Sequence, residues 1–248
     1  MKAKLIVALD VENLEKAEQL ATLLYPTVEL FKIGMQLFTA CGLKAVEMVG
    51  QKGAKVFLDL KFHDIPKTVF SGVTSGTGLS CEPVFVSNTF PNIEQEVRAS
   101  ICFPVFMMTV HASGGQEMMQ FAARAAAERA KKLNIDRPKI VGVTVLTSNE
   151  QAEDTQKKVV AMALSAKEAG LDGVVCSVWE AAAVRRECGK DFIIVTPGIR
   201  AQGGDQGDQK RVATPADAIA AGSDFMVVGR PIVEASDPLK AAKEFIRE

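Results

Sequence analysis

The chain has 248 residues, 48% of them apolar, and a formal net charge of −1. That length and hydrophobicity build a large core, and the balanced charge excludes the basic surface of a nucleic-acid binder. The apolar runs are strand-sized, short of the roughly 18 residues of a spanning helix. The opening Met1-Lys2-Ala3-Lys4 leads straight into a strand-like segment without the apolar region and cleavage site of a signal peptide, so a cytoplasmic protein without a membrane partner is expected.

The first strand is expected over Leu5–Val11, with Asp10 near its end, followed by an amphipathic helix over Glu12–Leu24. The second strand, Glu29–Met35, carries a charge, Lys32, within Phe31-Lys32-Ile33-Gly34. The third, Lys55–Phe62, alternates. Val56, Leu58, Leu60 and Phe62 share one face, while Lys55, Phe57, Asp59 and Lys61 share the other. A fourth strand over Phe106–Ala112 holds His111, and a helix follows over Gln116–Leu133. The remaining strands are expected over Lys139–Thr147, Gly173–Ser177, Phe192–Gly198 and Phe225–Arg230, with a helix over Ala152–Ala169. One stretch breaks the even spacing. Ser80–Pro104 contains Pro83, Pro91, Pro104 and a helix-like Asn92–Ile101, and it reads as an insertion at about 80–104.

Eight strands alternating with helices predict parallel pairing through crossover helices. In about 250 residues, that is a (β/α)8 TIM barrel of the α/β class, one domain over 1–248. The rival, a doubly wound sheet, carries a Gly-rich turn after its first strand, which Asp10-Val11-Glu12-Asn13 is not. The five cysteines are odd in number and form no C-x-x-C, and there are only two histidines. Reduced thiols are expected and no metal site.

A barrel of this kind places its active site at the C-terminal ends of its strands. The polar residues there are Asp10, Lys32, Asp59, Lys61, His111, Thr147, Ser177, the run Thr196–Arg200, and Gly229-Arg230. Alternation projects Asp59 and Lys61 together into the barrel mouth. Their plain alternative is a structural ion pair, which stabilises a fold little for its desolvation cost. Asp10 reads equally as a cap, His111 reads as a core imidazole, and His63 is assigned no role. Gly229 permits close backbone approach, and Arg230 offers a fork suited to phosphate. Pro231 is placed to start a helix whose N-terminus favours an anion. The loop Arg200–Val212, with Gly203, Gly204 and Gly207, suits a lid.

These residues carry a resemblance. Asp59-Leu60-Lys61-Phe62-His63-Asp64-Ile65-Pro66 resembles the signature of the orotidine 5′-phosphate decarboxylases. The blocks Val7–Asp10, Lys32–Gly34, Val110–Gly115, Val145–Ser148, Val195–Arg200, Gly207–Gln209 and Val228–Pro231 are similar to that family's, in its order, over nearly the whole chain. The D-x-K-x-x-D element alone is shared with Mg-dependent sugar-phosphate decarboxylases and synthases. These, and a nucleotide sensor that has lost catalysis, are the rival readings.

The resemblance implies a homodimer of barrels that converts orotidine 5′-monophosphate to UMP and CO₂ without metal or organic cofactor. It implies that Lys61 donates a proton to C6 and that Asp59 lies beside the substrate carboxylate. Asp10, Lys32 and Asp64 belong to the surrounding charged network. The resemblance brings Asp64 in from the other subunit, with Ile65 and Thr68 nearby. Thr147 and Ser148 are matched to the pyrimidine. Gln209, Gly229 and Arg230 are matched to the phosphate, and Pro197 and Arg200 to the substrate-binding block that begins the closing loop. The segment 80–104 departs from the family's pattern beside the expected interface.

Overall fold

The computed structural model describes residues 3–79, 103, 105–146, 154–201 and 213–247. Eight parallel strands form a closed barrel in sequence order: β1 (Lys4–Ala8), β2 (Leu30–Gly34), β3 (Lys55–Phe62), β4 (Val105–His111), β5 (Lys139–Val143), β6 (Gly173–Val175), β7 (Ile193–Thr196) and β8 (Phe225–Val228). Around them run α1 (Leu14–Leu24), α2 (Met35–Cys41), α3 (Leu43–Gln51), α4 (Pro66–Thr77), α5 (Gln116–Leu133), α6 (Thr155–Glu168), α7 (Val178–Cys188), α8 (Pro215–Ala220), α9 (Arg230–Val233) and α10 (Pro238–Arg247). The expected (β/α)8 architecture is therefore present, and β1 pairs with both β2 and β8 to close it.

Side-chain alternation divides the buried residues into two sets. Ile6, Ala8, Leu30, Phe57, Met107, Val141, Val195, Phe225 and Val227 fill the barrel interior. Val7, Phe31, Ile33, Val56, Leu58, Met108, Val110, Ile194 and Val228 pack outward with the helices. The two faces of β3 divide as the alternation predicts, with Val56, Leu58, Leu60 and Phe62 outside and Phe57 inside.

β3 and α5 span the expected residues, but most other strands are shorter. β1 ends at Ala8 rather than Val11, β5 at Val143 rather than Thr147, and β6 at Val175 rather than Ser177. β2 begins at Leu30 and ends at Gly34, so Met35 opens α2. β7 stops at Thr196 and β8 at Val228. The reason is that burial outlasts pairing. Leu9 and Val11 remain buried beyond Ala8, the last paired residue of β1, so hydrophobicity overstates strand length. Asp10, Pro197, Gly229 and Arg230 consequently stand in the turns above the barrel or in the helix that follows.

Helix starts follow capping chemistry. α1 begins at Leu14 rather than Glu12 because Asn13 caps it, its side chain accepting from the backbone N–H of Lys16 at 2.9 Å. α8 opens with a reciprocal capping box between Thr214 and Asp217, and these hydrogen bonds hold the Asp217 carboxyl below its ordinary range. α6 begins at Thr155, not Ala152. The expected insertion at 80–104, with its helix-like Asn92–Ile101, lies outside the described residues apart from Phe103. Among the described residues, no helix is long and apolar enough to cross a membrane.

Candidate active site

The inward positions of the early strands change character at the top of the barrel. In β1 the inward series runs Ile6, Ala8 and then Asp10. In β2 it runs Leu30, Lys32, Gly34, and in β3 Phe57, Asp59. In β4 it runs Met107, Thr109, His111. The later strands stay apolar at the same height, with Val143, Val175, Pro197 and Val227. The mouth thus has a charged half from β1–β4 and an apolar half from β5–β8.

The charged half is a chain of alternating charges. Lys32 Nζ lies 2.9 Å from Asp10 Oδ1 and 3.6 Å from Asp59 Oδ2. Lys61 Nζ lies 2.8 Å from the same Asp59 oxygen. Lys32 and Asp59 are each only 8% exposed, and buried charges of this kind persist where opposite charges surround them, here Asp10 and Asp59 about Lys32 and Lys32 and Lys61 about Asp59. Burial pushes the Asp59 carboxyl up. The opposing attraction of Lys32 and Lys61, with hydrogen bonds from Lys61 and Thr109, outweighs it and holds the group below the ordinary carboxylate range.

Gly34 explains how the cluster fits. It stands opposite Asp59 in the sheet. A Cβ there would sit 2.6 Å from Lys32 Nζ and 2.8 Å from Asp10 Oδ1. The missing side chain is the space that the ion pair occupies.

Lys61 reaches Asp59 by a different route from simple alternation. Its backbone is left-handed, with φ 53°, at a cost of about 1 kcal/mol or more. The register between β3 and β4 shifts there, from Leu58 opposite Met108 to Phe62 opposite Val110. The expectation that both side chains enter the mouth holds, but a bulge in β3 aims Lys61, not the regular pleat. Thr109 secures the bulge. Its hydroxyl accepts from the backbone N–H of Lys61 at 2.8 Å and donates to Asp59 Oδ1 at 3.0 Å. Sequence reasoning passes over Thr109. Its only signal is an inward, polar position in an otherwise apolar strand, two residues before His111.

His111 is not the core imidazole expected. It is half-buried at the end of β4, with its ring centroid 5.1 Å from that of exposed His63. Burial pushes its pKa down, electrostatic interaction with His63 and Lys61 adds to this, and Asp59 opposes it. Ser177 does not enter the mouth. It is buried and caps α7, accepting from the Trp179 backbone N–H at 3.4 Å.

Asp64, Ile65 and Thr68 are all exposed at the start of α4. The Asp64 carboxylate accepts from the backbone N–H of Ile65 at 2.6 Å, and among the described residues no ion pair joins it to Lys61 of its own chain, whose ammonium pairs with Asp59. Thr147, Ser148 and Gln209 lie outside the described residues, as does the expected lid beyond Ala201 up to Val212. The base of that loop is described. Ile199 bridges Ala213, and the Arg200 backbone N–H donates to the Ala213 carbonyl at 2.9 Å.

Two cavities meet at Lys32, Pro197 and Val227. One, of about 250 Å³, runs between Lys32, Asp59 and Lys61 and the apolar residues Phe57, Val143, Val145, Leu146, Val175 and Cys176. The other, of about 600 Å³, is lined by Asp10, Lys16, Gly198, Arg200, Gly229 and Arg230. Arg230 is the first residue of α9 and Pro231 the second, one position later than the sequence suggested. Among the described residues, no group of three or more His, Cys, Asp or Glu side chains is arranged to hold a metal ion.

The fold and the site define a class, a parallel (β/α)8 barrel whose C-terminal mouth joins a lysine–carboxylate relay to an apolar slot and a polar pocket. The sequence model of the "Orotidine 5′-phosphate decarboxylase / HUMPS family" matches residues 3–83 and 90–245, and the chain belongs to that family. An orotidine 5′-phosphate decarboxylase of Moorella thermoacetica is 43% identical, covering 100% of this chain and 92% of that protein. One of Syntrophomonas wolfei is 44% identical over 99% and 97%. The crystal structure of the Lactobacillus acidophilus orotidine 5′-phosphate decarboxylase superposes with a TM-score of 0.77 at 32% identity, covering 99% of this chain and 98% of that one.

Proposed function

We propose that this chain converts orotidine 5′-monophosphate to UMP and CO₂, the last step of UMP synthesis. The observation that carries the reading is the alternating sequence Asp10, Lys32, Asp59, Lys61 at the junction of an apolar slot and a polar pocket.

The chemistry follows from where charge develops. Breaking the bond between C6 and the carboxyl carbon releases CO₂ and leaves the electron pair in an in-plane orbital at C6, outside the ring π system. A preorganised cation must face that pair in a water-poor site. Lys61 supplies it, its ammonium held 2.8 Å from the Asp59 carboxylate, and it delivers a proton to C6. Solvent then reprotonates the amine. Asp59 stands beside the substrate carboxylate, and the apolar slot suits neutral CO₂ better than the charged carboxylate that precedes it. Lys32 keeps Asp59 ionised and ties it to Asp10, which faces the ribose. Arg230 and Gly229 take the phosphate at the far end, with Pro197 and Arg200 between. Phosphate binding thereby supplies remote binding energy to the reacting centre. Thr147 and Ser148 serve the pyrimidine and Gln209 the phosphate.

The working unit in this reading is a homodimer in which Asp64, with Ile65 and Thr68, completes the partner's site. The exposure of all three in one chain supports it. Residues 1–248 form one barrel domain with an insertion at about 80–104, and the enzyme works in the cytoplasm. The test is loss of orotidine 5′-monophosphate absorbance in the presence of EDTA. Full turnover is expected. Activity that vanishes with EDTA and returns with Mg²⁺ would favour the sugar-phosphate branch, and UMP binding without turnover would favour a sensor.

A further inference from the structure

Thr109 is fully buried on the inward face of β4, between Met107 deep in the barrel and His111 at its mouth. It is not among the residues lining either cavity. Between the pairs Leu58–Met108 and Phe62–Val110, β3 takes four steps while β4 takes two. The extra chain lifts the Lys61 N–H out of the ladder, where a buried donor needs another partner. The Thr109 hydroxyl provides it at 2.8 Å and spends its single proton on Asp59 Oδ1 at 3.0 Å. The direction is fixed, because an ionised carboxylate and a backbone N–H leave only this assignment. One side chain therefore holds both the left-handed backbone of Lys61 and the carboxylate that its ammonium touches.

We infer that Thr109 is a positioning residue for the proposed decarboxylation, acting through Lys61 and Asp59 without touching the substrate. The inference rests on the reading of the site given above. Its chemistry separates shape from hydrogen bonding. Valine keeps the shape of threonine and loses the hydroxyl, whereas serine keeps the hydroxyl and loses the methyl.

The experiment compares kcat and KM for orotidine 5′-monophosphate in wild type, Thr109→Val and Thr109→Ser, with thermal melting alongside. Hydrogen bonds to charged groups translate to a fall in kcat of about tenfold to a hundredfold in Thr109→Val. KM stays close to wild type, because the phosphate end is untouched, and Thr109→Ser retains most of kcat. If Thr109→Val does not fold, Thr109→Ala replaces it, and serine must then exceed alanine by a similar factor. A valine variant with wild-type kcat overturns the inference, as does serine falling with valine, or serine equal to alanine. An inactive wild type would instead defeat the decarboxylase reading itself, so the two failures are distinct.

Discussion

Lys61 Nζ lies 2.8 Å from the carboxylate of Asp59, two residues earlier in the same strand, and the backbone between them is left-handed at Lys61. Strain at a single non-glycine residue persists only where its surroundings over-determine it. Here the surroundings are Thr109 below, Asp59 beside, and Lys32 beyond.

Gly34 is the steric counterpart of that cluster. Gly34→Ala places a methyl against Lys32 Nζ and Asp10 Oδ1. Both are ends of flexible side chains, so the fold survives and the ion pair moves. Misplacing catalytic groups by an ångström costs on the order of a hundredfold. The variant should melt near the wild-type temperature yet lose about that factor in kcat/KM for orotidine 5′-monophosphate. A wild-type kcat/KM would show that the Lys32–Asp10 contact is dispensable.

How much of this is legible in sequence depends on the residue. The strand–helix alternation and the charged inward positions Lys32 and Asp59 are readable, because they obey a fixed period. The bulge at Lys61 is not. A left-handed lysine has no composition signature, and strict alternation reaches the same juxtaposition by the wrong geometry. Thr109 is hidden for a related reason, since its partners lie 48 and 50 residues away and only register brings them together. The shared-site role of Asp64 comes from resemblance, because exposure in one chain is compatible with a partner but names none.

That role has its own test. Lys61→Ala and Asp64→Ala subunits are mixed after separate purification. If each site takes Lys61 from one subunit and Asp64 from the other, a hybrid dimer has one intact site. Random exchange then restores about a quarter of wild-type activity from two inactive parents, in a closed two-fold dimer. No recovery despite subunit exchange would place Asp64 in its own chain's site or in none.

Arg230→Ala should raise KM and lower kcat/KM for orotidine 5′-monophosphate, by about tenfold or more for a lost charge-assisted contact. It should do much less to orotidine, which lacks the phosphate. An equal loss with both would remove Arg230 from the phosphate end.

Stability should fall on acidification in two windows. The folded Asp59 pKa lies below its ordinary 3.8, so its contribution is complete above that value and is lost as pH drops through the lowered one. The folded His111 pKa lies below its ordinary 6.5. The unfolded chain therefore binds a proton first, and stability declines as pH falls below 6.5 towards the folded value. Urea midpoints measured across the acid range should show both declines. His111→Gln should flatten the upper one, and an unchanged slope there would contradict the assignment.

Gly173 tests the barrel independently of the chemistry. It sits in β6 against β7, and a Cβ would overlap the Ile193 carbonyl oxygen and lie 2.7 Å from its carbon. Backbone cannot yield as a side-chain tip can. Gly173→Ala should destabilise by about 2 kcal/mol or more, read from denaturant midpoints. A neutral effect would mean that the two strands are not packed so closely.

The central claim is that Lys61 is the cation and proton donor at C6. The direct measurement is UMP formed from orotidine 5′-monophosphate by Lys61→Ala beside wild type, with circular dichroism and melting on the same samples. Losing a preorganised charge of this kind costs at least a hundred- to about a thousandfold, so the folded variant should form almost no UMP. Near-normal UMP formation by folded Lys61→Ala would contradict the account.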